Sequence, residues 1–170
     1  VYDLPAWCTS VAVVDRHGPL AGAVYVPVTD ELFSAARGGG ATRNGEPIRC
    51  STATDLTMAL IGTGFNYSPS TREQQAARLA RLLPHVRDMR RYGSAALDLC
   101  MAACGRLDAY FEEHLNSWDL AAGVLIATEA GATTSNFAGG PADTDAVVAA
   151  APGLHRALLD LIERTSSAQR

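Results

Sequence analysis

Apolar and polar positions change their rhythm partway along the chain. Trp7 to Asp15 (WCTSVAVVD) and Leu20 to Val26 (LAGAVYV) are apolar, partly β-branched runs joined by Arg16-His17-Gly18-Pro19, a pattern that predicts two antiparallel strands and a turn. Glu31 to Arg37 reads as a third strand, and Asn44-Gly45 just beyond it is a dipeptide suited to a tight hairpin. From Met58 onward strands and helices alternate. Met58 to Phe65 predicts a buried strand, and Thr71 to Leu83 a helix with Leu79, Leu82 and Leu83 on its inner face. Arg87 to Tyr92 predicts a short strand, Ser94 to Cys104 a small-residue helix and Leu107 to Glu113 a strand. Ser117 to Ala130 predicts a helix closed by Gly131, and Val147 to Ala151 with Leu154 to Ile162 a last strand and helix. A sheet-rich half leading into an alternating half predicts stacked layers of helix and sheet. With no internal repeat, the chain reads as one domain over residues 1–165. The tail from Arg164 has lost the pattern and is expected to be disordered at 166–170.

Composition narrows the chemistry. The 170 residues are 48% hydrophobic and 19% charged, enough to bury a continuous core. A net charge of −4 with no basic tract would repel phosphate backbones, which argues against nucleic acid as a partner. No stretch approaches the roughly 20 apolar residues of a membrane span, and VYDLPAWCTS lacks the pattern of a signal peptide. A cytoplasmic location is expected. All 14 basic residues are Arg, so chemistry that needs a lysine amine, in a Walker A loop, a kinase or a Schiff base, is excluded. Cys8, Cys50, Cys100 and Cys104 form no CxxC pair and the four His are scattered, which does not suit a zinc site. Cys100 and Cys104, four apart on one helix, read as small core residues.

Three places carry candidate chemistry, each beside a plainer reading. Gly93-Ser94-Ala95-Ala96 stands at a strand-to-helix junction, where free N–H groups of the first turn suit a hydroxyl or an anion, or where Ser94 merely caps a helix. Alternation puts Asp108, Tyr110 and Glu112 on one face of a strand, with Glu112 at its C-terminal end, where α/β sheets form their crevices. A carboxylate there suits a polyol, or is simply a solvated acid. With Ser117 as cap, Asp119 falls in the first turn of the next helix, placed either as a hard oxygen ligand or as a partner of the helix dipole. Ala121, Ala122 and Gly123 after it suit close packing against another backbone. The run Gly38 to Gly40 makes a poor phosphate cradle, because a hairpin signal rather than a helix follows it.

The stretch Trp118 to Gly131, WDLAAGVLIATEAG, resembles the C-terminal signature of the inositol monophosphatase family. YGSAALDLCMAACGRLDAYFE, the hairpin GGGATRNGEPI and the opening VYDLPAWCTSVAVV resemble successive segments of the same family, so the resemblance runs over nearly the whole chain. It implies an α/β fold of the α+β type, the layered αβαβα sandwich of sugar phosphatases, here only its C-terminal part. It implies that Asp119 is a magnesium ligand that also touches substrate, that Glu112 contacts inositol hydroxyls, and that Gly93, Ser94 and Ala95 belong to a substrate loop. The implied activity is Mg²⁺-dependent hydrolysis of inositol 1-phosphate or a related small polyol phosphate, by a protein that forms homodimers. Histidinol phosphate, fructose 1,6-bisphosphate and phosphoadenosine phosphate are alternative substrates.

Two departures from the family stand out. Ala132 takes the place where a second glycine often ends the signature. The Asp-Pro-x-Asp-Gly-Thr motif that precedes the segment matching Val1, with the metal ligands and catalytic groups it carries, does not occur in this sequence. One carboxylate cannot hold a cluster of Mg²⁺ ions, so this chain alone is expected to have little activity. The alternative is a non-catalytic module that binds a partner or a sugar. Trp7, Val11 and Val13 are expected to lose cover if helices of an absent portion normally lie over them, which would favour association.

Overall fold

The structure, a computed structural model, describes residues 4–167. Five strands form an antiparallel meander in chain order: β1 (Thr9–Asp15), β2 (Gly18–Val26), β3 (Glu31–Ala36), β4 (Ala41–Arg43) and β5 (Glu46–Pro47). The β1–β2 register slips once, between Val13 and Val14, where a bulge bends the edge strand. Asn44 and Gly45 both have positive φ, 52° and 83°, so the predicted hairpin turn forms between β4 and β5.

The rest of the chain builds a second five-stranded sheet. β6 (Leu60–Thr63) leads into α1 (Pro69–Leu82), then β7 (Asp88–Arg90), α2 (Ala95–Ala103), β8 (Ala109–Glu113), α3 (Ser117–Glu129), β9 (Thr133–Ser135), β10 (Ala146–Ala150) and α4 (Pro152–Ser167). The strand order is β7-β6-β8-β10-β9, with β6 parallel to β7 and β8, and β10 antiparallel to both of its neighbours. The helices α2 and α3 lie between the two sheets, and α1 and α4 cover the far face of the second. The alternating half is therefore an α/β layer system, and the whole has the mixed α/β fold that the sequence predicts.

Two apolar cores follow from this layering. Val24, Phe33, Leu99, Tyr110 and Ile126 are buried between the sheets, and Ile61, Phe111, Val148, Leu154 and Leu158 between the second sheet and the outer helices. Each such side chain contributes roughly 1.5–3 kcal/mol by leaving water. Small residues set the layer spacing. A Cβ at Gly22 would stand 2.8 Å from the Ala122 Cα, and one at Gly123 would stand 2.7 Å from Leu99 Cδ1, so α3 lies close to both β2 and α2. The close packing expected of Ala122 and Gly123 is present. The outer face of the first sheet is open instead, with Val11 61% and Val13 56% exposed, and Trp7, just before β1, is 51% exposed. Among the described residues no helix is long and apolar enough to cross a membrane.

Several expectations need correction. β9 was not predicted: three residues are too few for a readable period, and only its pairing with β10 makes them a strand. Leu83 is 45% exposed, because α1 ends at Leu82 and a 3-10 turn carries Leu83 away from the core. Cys100 is fully buried, and Cys104, the C-cap of α2, packs half-buried against the same core. The helix α4 runs on to Ser167, with Thr165 buried and its hydroxyl bonded to the Leu161 and Ile162 carbonyls, so residues 164–167 are not a disordered tail. The end of that predicted tail, 168–170, lies outside the described residues, as do 1–3.

Candidate functional site

The parallel strands β6, β7 and β8 all end on one side of the second sheet, and the N-termini of α2 and α3 face the same side. A cavity of about 490 Å³ opens there, at the carboxyl ends of parallel strands where ligands bind in open α/β sheets. All five residues proposed from the sequence, Gly93, Ser94, Ala95, Glu112 and Asp119, line it. Chain folding thus brings three separate signals into one place. The stretch after β6, from Gly64 to Tyr67, and the segment Ala6 to Cys8 before β1 complete the wall.

Glu112 enters from the end of β8. It is half-buried, and the hydroxyl of the fully buried Tyr110, two residues back on the same strand face, donates to its Oε2. Burial pushes the Glu112 carboxyl up, while the Tyr110 hydroxyl and the Arg91 guanidinium pull it down. Its neighbour Glu113 points the other way and pairs with Arg78 on α1 at 2.9 Å. Glycine makes this arrangement possible. A Cβ on Gly64 would overlap the Glu112 carboxylate, so the backbone of the residues after β6 forms the surface against which Glu112 lies.

Asp119 stands in the first turn of α3, as predicted, but Asn116 and not Ser117 is the cap. The Asn116 N–H donates to Asp119 Oδ2 at 3.0 Å, the return half of a capping box. One carboxylate oxygen therefore serves the helix. The plainer reading of Asp119, as a partner of its own helix, has this bond as its basis. Ser94 is the N-cap residue of α2 by backbone conformation, yet its hydroxyl makes no capping bond and lies 3.3 Å from Cys8 Sγ. Gly93, at φ 97°, lets the Arg91 side chain pass over it.

Residues that sequence reasoning passed over share the cavity. Arg91 brings a guanidinium and Asn116 an amide, and His114 lines it from a left-handed backbone, φ 61°, with its N–H on the Asp145 carbonyl at 2.9 Å. A non-glycine residue held there costs of order 1 kcal/mol, and such positions gather at functional sites. Gly62 and Gly64 inside a strand signal were the readable clue to a close approach. The run Gly38 to Gly40, by contrast, is occupied. Its Gly38 and Gly40 N–H groups donate to the Glu129 carboxylate at 2.7 and 2.9 Å, so it ties the first sheet to the end of α3.

The arrangement can receive hydroxyl donors at Glu112 and a polar or anionic group near the two helix N-termini. Magnesium is a different matter, because it takes six oxygens in near-octahedral geometry. Among the described residues no three His, Cys, Asp or Glu side chains gather where they could hold a metal ion. These residues do not form a magnesium site by themselves.

The sequence and the fold have relatives among known proteins. The model of the inositol monophosphatase family matches residues 1–168. An inositol-1-monophosphatase of Mycobacterium leprae is 51% identical over 170 residues, covering 96% of this chain and 58% of that protein. The solved structure of Mycobacterium tuberculosis SuhB superposes with a TM-score of 0.87 at 48% identity, over 95% of this chain and 65% of that one. The Nus factor SuhB of Vibrio cholerae is 39% identical over 170 residues, covering 98% of this chain and 64% of that protein. The chain thus spans less than two thirds of the length of these relatives.

Proposed function

Because the chain belongs to the inositol monophosphatase family, we propose that it forms the polyol-binding side of a Mg²⁺-dependent phosphomonoesterase acting on inositol 1-phosphate or a related small polyol phosphate. The observation that carries this reading is the convergence of Glu112 and Asp119 on one cavity between two helix N-termini. In it, Glu112 accepts hydrogen bonds from ring hydroxyls, with Tyr110 holding the carboxylate in place. Gly93, Ser94 and Ala95 line the same cavity and position the ring. Asp119 touches the substrate and, through the oxygen not used by Asn116, supplies one ligand to magnesium. Magnesium held there together with ligands from beyond the described residues would supply charge neutralisation for the phosphoryl group and an activated water.

The other magnesium ligands are not among the described residues, so the activity is proposed for a protein of the relatives' full length. The 170 residues alone are expected to release little or no phosphate. Histidinol phosphate, fructose 1,6-bisphosphate and phosphoadenosine phosphate are less favoured substrates, because Glu112, seven residues before Asp119, resembles the arrangement in inositol monophosphatases. The same reading takes the protein to be a cytoplasmic homodimer with a small-molecule substrate, not nucleic acid, whose phosphates a net charge of −4 repels.

A second reading draws on the relatives named as Nus factors: a module that acts by binding and not by catalysis. Asp119→Asn separates the two. In the full-length protein it is expected to lower Mg²⁺-dependent phosphate release from inositol 1-phosphate by about a hundredfold or more. Unchanged turnover would overturn the role given to Asp119, and an intact protein without turnover would favour the binding module.

A further inference from the structure

One buried acid behind the cavity has no part in that scheme. Asp98, one turn into α2 from Ser94, is 1% exposed, and its Oδ1 is buried without a hydrogen-bond partner among the described residues. It stands beside the group that holds Glu112. A Cβ at Gly62 would come within 3.4 Å of Asp98 Oδ1 and 3.2 Å of the Tyr110 ring, while one at Gly64 would overlap Glu112. The glycines of Gly62-Thr63-Gly64 thus make room for two acids and a phenol against one stretch of backbone.

Two carboxylates in such a place cannot both be charged cheaply. An ionised oxygen without a partner in the interior is strongly disfavoured, and like charges side by side raise the cost further. The groups that act on Asp98 are Glu112 from β8, Arg91 from the segment before α2, and the N–H groups of Gly93 and Ser94. Asp119 on α3 acts on Glu112 and Tyr110. Burial first, then the Glu112 charge, push Asp98 up to about 8, against the pull of Arg91 and the two N–H groups. Glu112 is also raised by burial, but the Tyr110 hydroxyl bonds it directly and favours its charged form. The environments divide the pair, and the more deeply buried acid, whose Oδ1 has no partner among the described residues, keeps the proton.

We propose that Asp98 is a neutral carboxylic acid at neutral pH and serves as a positioning residue, leaving Glu112 as the single ionised acceptor for the polyol hydroxyls. The positioning role rests on the reading of Glu112 given above; the protonation of Asp98 does not.

The linkage has a definite sign. The folded chain holds a proton that an unfolded aspartate loses near its ordinary value, so Asp98 lowers stability progressively as pH rises from about 4 to about 8, and the loss levels off above. Asp98→Asn, a neutral isostere, escapes this. Its Tm relative to the parent chain is expected to climb across that window. The side-chain carboxyl carbon of Asp98, assigned in ¹³C NMR by its absence from Asp98→Asn, is expected to keep the protonated shift through neutral pH. A resonance that titrates with ordinary aspartates, or a Tm difference flat with pH, would overturn the proposal.

For the positioning role, the full-length protein is assayed on inositol 1-phosphate. Asp98→Asn is expected to remove a rise in KM that the parent shows above about pH 8, where Asp98 ionises near Glu112. The same KM profile in both proteins would overturn the role. A protein that releases no phosphate at all overturns the functional reading and the positioning role with it, and the NMR titration still decides the protonation.

Discussion

Gly64 governs where Glu112 can lie. A methyl group there would collide with the far end of the Glu112 side chain and not with backbone, so the strand can keep its place while the carboxylate swings away. Gly64→Ala is therefore expected to cost no more than about 1 kcal/mol of stability. In the full-length protein it should raise KM for inositol 1-phosphate about tenfold or more; an unchanged KM would remove Glu112 from the polyol site. The contrast with Glu113 is instructive. Adjacent acids on one strand point to opposite faces, and Glu113 spends its charge on Arg78 while Glu112 faces the cavity. Asp119 and Glu112 were readable as candidates from their places in the pattern. Arg91, Asn116 and His114 were not, since each is ordinary in its own stretch and reaches the cavity only through the turns on either side.

At the scale of the element, α3 is fastened at both ends. Asn116 and Asp119 close its first turn, and Glu129 in its last turn holds the Gly38 and Gly40 amides of the β3–β4 loop. The closing Glu-Ala-Gly of the signature thereby gains a physical reason, since Glu129 binds the first sheet, Ala130 is buried and Gly131 takes the positive φ that ends the helix. Glu129→Ala is expected to cost about 1 kcal/mol, since both bonds are charge-assisted but near solvent. Urea unfolding measures that cost, and faster hydrogen exchange at Gly38 and Gly40 would locate it; unaltered exchange would disprove the tether. Most elements were legible from periodicity, including the hairpin at Asn44-Gly45. The cap of α3 was misplaced by one residue because Asn116 and Ser117 are both good caps, and only the backbone angles separate them.

In the molecule as a whole, four layers stack, and the outer face of the first sheet carries apolar side chains into solvent. Alternation along β1 sends Ala12 toward the core and Val11 and Val13 outward, the reverse of the usual polar outside. A patch of this kind favours association. The 170-residue chain is accordingly expected to self-associate in sedimentation velocity, and the double substitution Val11→Thr, Val13→Thr to reduce this with little change in Tm. A parent chain that sediments as a clean monomer would contradict the expectation that this face seeks cover.

The amino-acid sequence by itself determined the elements, their layered class and the family signature, because these depend on local period, turn chemistry and spacing along the chain. It also marked Gly93, Ser94, Ala95, Glu112 and Asp119 one by one. Only the tertiary structure decided that they face one cavity, since the parallel order of β6, β7 and β8 sends the three strand ends to the same side. It alone set Asp98 behind Glu112, where burial and a like charge act across a distance that no linear pattern records.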